Sequence, residues 1–161
     1  MINFTLNGHS VWTELPDGVP LIDVLRNGFG LLRTRFGCGA EQCGSCMVLV
    51  DGRATPSCML GVGAVAGRLV QTVEGLGSRG APHPLQSAFL IEQAGQCGYC
   101  LSGILISAAA LLAANPEPDE AAVRSALDKH LCRCGSHNRI VRAVLRAARE
   151  MRAAERAVGK H

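Results

Sequence analysis

The sequence predicts an α+β protein, a small strand-rich unit followed by a bundle of helices. Three observations carry this. Up to Val73, apolar residues alternate with polar ones in short runs bounded by turn dipeptides. Glycine and proline then crowd the stretch EGLGSRGAP, Glu74 to Pro82. Beyond it the apolar residues recur at helical spacing, with start and stop signals between segments.

Ile2, Phe4 and Leu6 alternate with polar neighbours and read as a first strand. Asn7-Gly8 is a hairpin turn signal, and Val11 to Leu15 is the return strand. Pro20 to Arg26 reads as a short helix. Met47 to Val50, the turn Asp51-Gly52 and Arg53 to Thr55 form a second hairpin, and Leu69 to Val73 is a last strand. Two hairpins around one helix make a small α+β unit, residues 1–76. Residues 77–82 are the linker, and 83–161 the helical part. Its helices are His83 to Gln93, Ser102 to Ala114, Glu120 to Lys129 and His137 to about Ala157. Asn115-Pro116 stops the second and Pro118-Asp119 opens the third. Four helices in so short a stretch read as a compact four-helix bundle.

Composition narrows the function. Charged residues make up 18% of the 161, against roughly 25% for an average soluble domain, which points to surface covered by a partner. The net charge of +3 is mild and there are no basic clusters among aromatics, so nucleic acid is not an expected partner. No apolar run reaches the roughly 18 residues of a membrane span, so no direct membrane insertion is expected. MINFTLNGHSVWTEL has no basic region followed by an apolar one, so no signal peptide is expected and the cytoplasm is the default location. There, eight cysteines point to metal or redox chemistry rather than disulfides.

GCGAEQCGSC places Cys38, Cys43 and Cys46 at C-x4-C-x2-C, with Cys58 downstream. This is the plant-type [2Fe–2S] spacing. Three thiolates must converge from one tight loop, and Gly37, Gly39 and Gly44 stand where positive φ or close backbone approach is needed. The cluster with its four thiolates is a dianion, which the loop's N–H groups can offset. A structural zinc site is the alternative. Zinc favours two separate C-x2-C knuckles, whereas three cysteines set among glycines fit an iron–sulfur loop better.

The second set is Cys97 and Cys100, at C-x2-C, with Cys132 and Cys134, at C-x-C. Each pair sits just before a predicted helix, where free N–H groups and the positive end of the helix dipole favour an anion. The helix after Cys100 is apolar all round and reads as the buried member of the bundle. A disulfide across C-x-C is strained. Two clusters use all eight cysteines and leave none over.

GCGAEQCGSC with Cys58, then QCGYC, then LCRCG-x-H-x-RI, resemble the small iron–sulfur subunit of the molybdenum hydroxylases, the xanthine dehydrogenase and aldehyde oxidoreductase family. The likeness covers nearly the whole chain. EGLGSRGAPHPLQSAF and CRCGSHNRI are most similar to the two-subunit bacterial branch that includes nicotinate dehydrogenase and isoquinoline 1-oxidoreductase. The resemblance implies a β-grasp ferredoxin domain in which Cys38, Cys43, Cys46 and Cys58 bind an outer [2Fe–2S] cluster. It implies a helical domain in which Cys97, Cys100, Cys132 and Cys134 bind an inner one. A large partner subunit would hold molybdopterin cytosine dinucleotide, with Gln96 and Cys134 against the pterin. That subunit would hydroxylate an N-heterocycle such as nicotinate, or an aldehyde, with oxygen from water. Electrons would leave through the inner and then the outer cluster to cytochrome c domains or an FAD subunit. An exported partner could carry the chain out folded, to the periplasm or a membrane. One departure is the LSGILIS that follows CGYC, which gives no guide to substrate. A free-standing two-cluster ferredoxin is the alternative, and the helical half argues against it.

Other residues have two readings. Gln96 is a pterin contact or a polar residue flanking a helix. Arg133 offsets cluster charge or is simply exposed. His83, His130 and His137 read as surface or capping residues rather than ligands. Tyr99 shields the inner cluster or packs. Arg139, Arg142, Arg146 and Arg149 recur every three or four residues and read as a solvated helix face, with a docking stripe as the alternative.

Overall fold

A computed structural model describes residues 1–158, and of Val158 only the backbone. The last three residues of the predicted helical part, 159–161, lie outside the described residues.

The N-terminal half is a five-stranded sheet, β1 (Ile2–Leu6), β2 (His9–Thr13), β3 (Met47–Val50), β4 (Arg53–Pro56) and β5 (Leu69–Gln71), in the order β2-β1-β5-β3-β4. β1 and β5 run parallel and the other pairs antiparallel. Asn7 and Gly8 both take positive φ, +51° and +85°, which makes the first connection the tight two-residue turn that Asn-Gly favours. That turn starts β2 at His9, two residues before the expected Val11. β5 is also shorter than expected, because Val73–Gly75 tightens into a 3-10 turn.

Helix α1 (Leu21–Asp23) runs on as a π-helical turn, Val24–Gly28. Leu21, Val24 and Leu25 pack with Phe4, Leu6, Val48, Val50 and Val70 into the first core. The first N–H groups of α1 are met by the Leu60 and Ser57 carbonyls at 2.7 and 3.1 Å, which holds the segment carrying Cys58 against the start of this helix.

Among the described residues the C-terminal half has four helices, α2 (Pro84–Ile91), α3 (Leu101–Ala114), α4 (Glu120–Ala126) and α5 (His137–Val158). α3 is buried along nearly its whole length, Ser102 to Ala108 and Leu112, as its uniformly apolar sequence requires. α2 lies along α5, and the bundle core gathers Leu85, Phe89, Ile104, Ile106, Ile140 and Val144. That core also takes in Met47, Leu49 and Val73 from the first half. All four residues of β3 are buried, because alternate side chains face different cores. Val48 and Val50 face the sheet's own core, while Met47 and Leu49 face the bundle. Among the described residues no helix is long and apolar enough to cross a membrane.

Candidate metal centres

The first three cysteines lie in the loop that leads into β3. Gly39 and Gly44 have φ of +66° and +73°, so an L side chain would strain the backbone at either turn. Gly37 is needed for closeness instead, since a Cβ there would sit 2.5 Å from the Cys43 sulfur. The loop aims its N–H groups inward. Ala40 and Gln42 donate to Cys38 Sγ at 3.3 and 3.2 Å, and Cys38 donates to Cys43 Sγ at 3.3 Å. Cys58 is brought in by Ser57, whose N–H and hydroxyl both donate to the Cys46 carbonyl, at 3.2 and 2.7 Å. Ile22 of α1 packs against Cys46 and Cys58. Cys43, Cys46 and Cys58 are buried and Cys38 is exposed.

The second set forms where two chain segments meet. Cys100 is the N-cap of α3. Cys132 and Cys134 lie just before α5, with Gly135 at a φ of +71°. The sulfurs of Cys134 and Cys97 are 3.5 Å apart, and the side chains of Cys132 and Cys100 are neighbours. Cys97 is exposed, Cys100 buried and the other two half-buried. Gln96 is exposed beside Cys97, and Leu131 is 65% exposed beside Cys132.

The electrostatics divide each set. The N–H groups of Ala40 and Gln42 pull the Cys38 thiol down to about 7. The Tyr99 N–H, then the Cys134 side chain, lower Cys97. Burial opposes ionisation at Cys132, but N–H groups from Ser136, Cys134 and Gly135 and the Cys100 side chain outweigh it, so its pKa is lowered. Burial pushes Cys58 up to about 11 and Cys100 up to about 12. Cys38 in the first set, and Cys97 and Cys132 in the second, are thus eased toward the thiolate, while Cys58 and Cys100 ionise only against strong local positive charge, such as ferric iron bound to them. Among the described residues no three Cys, His, Asp or Glu side chains converge as they would on a single metal ion. Four thiols per set, with N–H donors aimed at Cys38, Cys43, Cys97 and Cys132, are a donor set that suits a [2Fe–2S] cluster.

The two sets are joined through the backbone. Leu131 donates its N–H to the Cys43 carbonyl at 3.1 Å. The Ser102 hydroxyl reaches the Ser45 carbonyl at 3.5 Å, and the Tyr99 hydroxyl donates to the Phe36 carbonyl. Tyr99 is 45% exposed, with the Arg35 guanidinium 5.5 Å from its ring centre, so it ties the two cysteine loops together. Arg133 is exposed.

One expectation needs correction and two are met. His130 is neither a surface nor a capping residue. It is 3% exposed, packed on Gly44 with Nε2 2.8 Å from the Ser107 hydroxyl, a contact that depends on residues far away in sequence. The arginines of α5 are a solvated face as expected, with Arg139, Arg142 and Arg149 exposed and Arg146 half-buried, and part of that face is tied to α2. Arg146 and Arg142 bind Glu92 at the end of α2, at 2.7 and 3.4 Å, and Arg139 donates to the Gln93 carbonyl. His83 is a cap. Its Nδ1 accepts from the Leu85 N–H at 3.2 Å, and Gln86 closes a capping box.

Two family models match the chain. The 2Fe-2S iron-sulfur cluster binding domain matches residues 4–65, and the [2Fe-2S] binding domain matches residues 72–145. The chain is 46% identical over 151 residues to a nicotinate dehydrogenase subunit from Pseudomonas putida, covering 94% of this chain and 96% of that one. It is 48% identical over 151 residues to the alpha subunit of isoquinoline 1-oxidoreductase from Brevundimonas diminuta, covering 93% and 99%. Quinoline 2-oxidoreductase from Pseudomonas putida 86 superposes with a TM-score of 0.89 at 35% identity, over 94% of this chain and 95% of that one. Aldehyde oxidoreductase from Desulfovibrio desulfuricans superposes at 0.91 and 37% identity, over 94% of this chain and 17% of that one. With nearly the whole chain matched and both cysteine sets inside the matched regions, the chain belongs to the molybdenum hydroxylase family, as one of its small [2Fe–2S] iron–sulfur subunits.

Proposed function

We infer that this chain carries electrons from the molybdenum site of a large partner subunit to an external acceptor, and that it holds no substrate site itself. Residues 1–76 and 83–161 would be its two cluster-binding units, joined by 77–82. Cys38, Cys43, Cys46 and Cys58 would hold the outer cluster, and Cys97, Cys100, Cys132 and Cys134 the inner one. Each [2Fe–2S] group, when bound, supplies a site that accepts and returns one electron. This chain's residues do the rest: inward N–H groups at Cys38, Cys43 and Cys97 favour the charged thiolates, and burial at Cys46, Cys58 and Cys100 keeps water off them.

The observation that carries this reading is the direct hydrogen bond from Leu131 to Cys43, which puts a residue bonded to one cysteine set in contact with the other. The exposed face at Gln96, Cys97 and Leu131, with the half-buried Cys134, is where a large subunit would cover the inner site. Gln96 and Cys134 would meet the pterin of molybdopterin cytosine dinucleotide there. The substrate of the complex would be an N-heterocycle or an aldehyde, hydroxylated with oxygen from water. The acceptor would be a cytochrome c domain or an FAD subunit, and the complex would work in the cytoplasm unless the partner is exported.

The test is to purify the tagged chain from its own host and measure bound metal. About four irons per chain, with one molybdenum and a large co-purifying subunit, is the expected result. Iron without molybdenum or partner would instead favour a free-standing two-cluster ferredoxin, and zinc would overturn both.

A further inference from the structure

His130 lies where the two cysteine sets meet, and neither a ligand role nor a surface role explains it. It is 3% exposed. A Cβ on Gly44, in the first cysteine loop, would fall 2.4 Å from its Nδ1, 2.7 Å from Cε1 and 2.8 Å from Cγ, so the ring occupies the volume that a side chain at Gly44 would take. Nε2 is fixed by the Ser107 hydroxyl at 2.8 Å. Ser107 is one turn beyond Gly103 on the same face of α3. Gly103 in turn touches the Gly44 carbonyl so closely that a Cβ there would lie 1.9 Å from its oxygen. The next residue after His130 is Leu131, whose N–H reaches Cys43. On the other side, His137 Nε2 stands 3.3 Å from the His130 carbonyl.

Among the described residues His130 Nδ1 finds no hydrogen-bond partner. A buried polar atom without a partner is costly, and an apolar side chain would avoid the cost. What the imidazole provides is shape, with a flat ring against Gly44 and one nitrogen pinned to α3.

We propose that His130 is a positioning residue that sets the separation and contact of the two clusters, by holding the Leu131 amide on the Cys43 carbonyl. The ring acts as a spacer between α3 and the first cysteine loop. Without it, that loop and the Cys132 segment lose their common support, while the eight thiols themselves are untouched. This inference rests on the two-cluster reading given above.

The test uses the complex as purified, fully reduced with dithionite, and reads low-temperature EPR. The two-cluster reading predicts two signals for the reduced wild-type complex, each split by the other. In His130→Ala both signals keep their own g values, and the expected change is loss or narrowing of the mutual splitting. Ser107→Ala, which frees the ring but leaves it in place, is expected to give the same change to a lesser degree. Hydrogen exchange of the Leu131 amide should also speed up in both variants, a readout that does not depend on turnover. Splitting and exchange unchanged in both variants would overturn the proposal. If His130→Ala fails to fold, unchanged splitting in Ser107→Ala overturns it alone. A wild-type complex without two distinct [2Fe–2S] signals would sink the two-cluster reading itself, and this inference with it.

Discussion

Gly103 brings α3 against Gly44 so closely that one added carbon would stand 1.9 Å from the Gly44 carbonyl oxygen and 2.9 Å from its carbon. The obstacle is backbone and cannot swing aside. Gly103→Ala is therefore expected to cost about 3 kcal/mol, the upper end of ordinary overpacking. It should disturb the first cysteine loop although residue 103 lies in the other half of the chain. Gly28→Ala is the control, since its nearest neighbour is Val24 Cγ1 at 3.9 Å. Its effect should stay within about 0.5 kcal/mol. Denaturant unfolding of both variants checks the contrast, and equal effects would mean that α3 can shift.

The cysteine sets should fail separately. Cys134→Ser is expected to remove or broaden the EPR signal of the inner cluster and to stop turnover of the complex, while the outer signal persists. Cys38→Ser should do the reverse to the two signals. Loss of both signals from either single change would show that the sites do not assemble independently.

The cap on α2 should make stability depend on pH. His83 Nδ1 accepts the Leu85 N–H, which requires that nitrogen to be unprotonated, and burial lowers the His83 pKa. A histidine whose folded pKa lies below its unfolded value of about 6.5 contributes stability that is fully present above that value. The contribution is lost as pH falls through the lowered folded value. A cap of this kind is worth about 1 kcal/mol. His83→Asn keeps a capping acceptor with no titration in this range, so it should lose less stability than wild type between pH 7.5 and 5.5. Parallel melting curves for the two proteins would show that the cap does not govern this range.

On α5, Arg146 and Arg149 should behave differently. Arg146 and Arg142 hold the Glu92 carboxyl below its usual pKa, and Arg146 closes the tighter pair. Because these groups are partly exposed, Arg146→Ala should lower the melting temperature only slightly, and less at high salt. Arg149→Ala should fall within about 0.5 kcal/mol. Thermal melts at low and high salt would separate them, and a salt-independent loss at Arg146 would point to packing of its stem instead.

What the sequence reveals about this chain follows range. The Asn7-Gly8 turn, the glycines around Cys38 to Cys46, and the buried character of α3 depend on neighbours a few residues away, and all are legible in the sequence. His130 is buried by Gly44, 86 residues earlier, and the α5 arginines are held by Glu92, some 50 residues earlier. Such pairings are invisible to local pattern, so His130 reads as exposed, and the arginine stripe, exposed as expected, gives no hint of its partner on α2. The π-helical turn Val24–Gly28 is hidden too, because its residues read as an ordinary short helix.

The two faces of β3 bear on how the chain can be divided. Cutting after residue 76 would leave a piece with the length and cysteines of a ferredoxin, yet with Met47, Leu49 and Val73 stripped of cover and turned to water. Such a sheet would stick to its own copies. The helical remnant would lose the floor beneath α3. Neither fragment is a spare part that can be moved to another protein unchanged. The whole run from Ile2 to α5 is the smallest piece that could be transplanted intact.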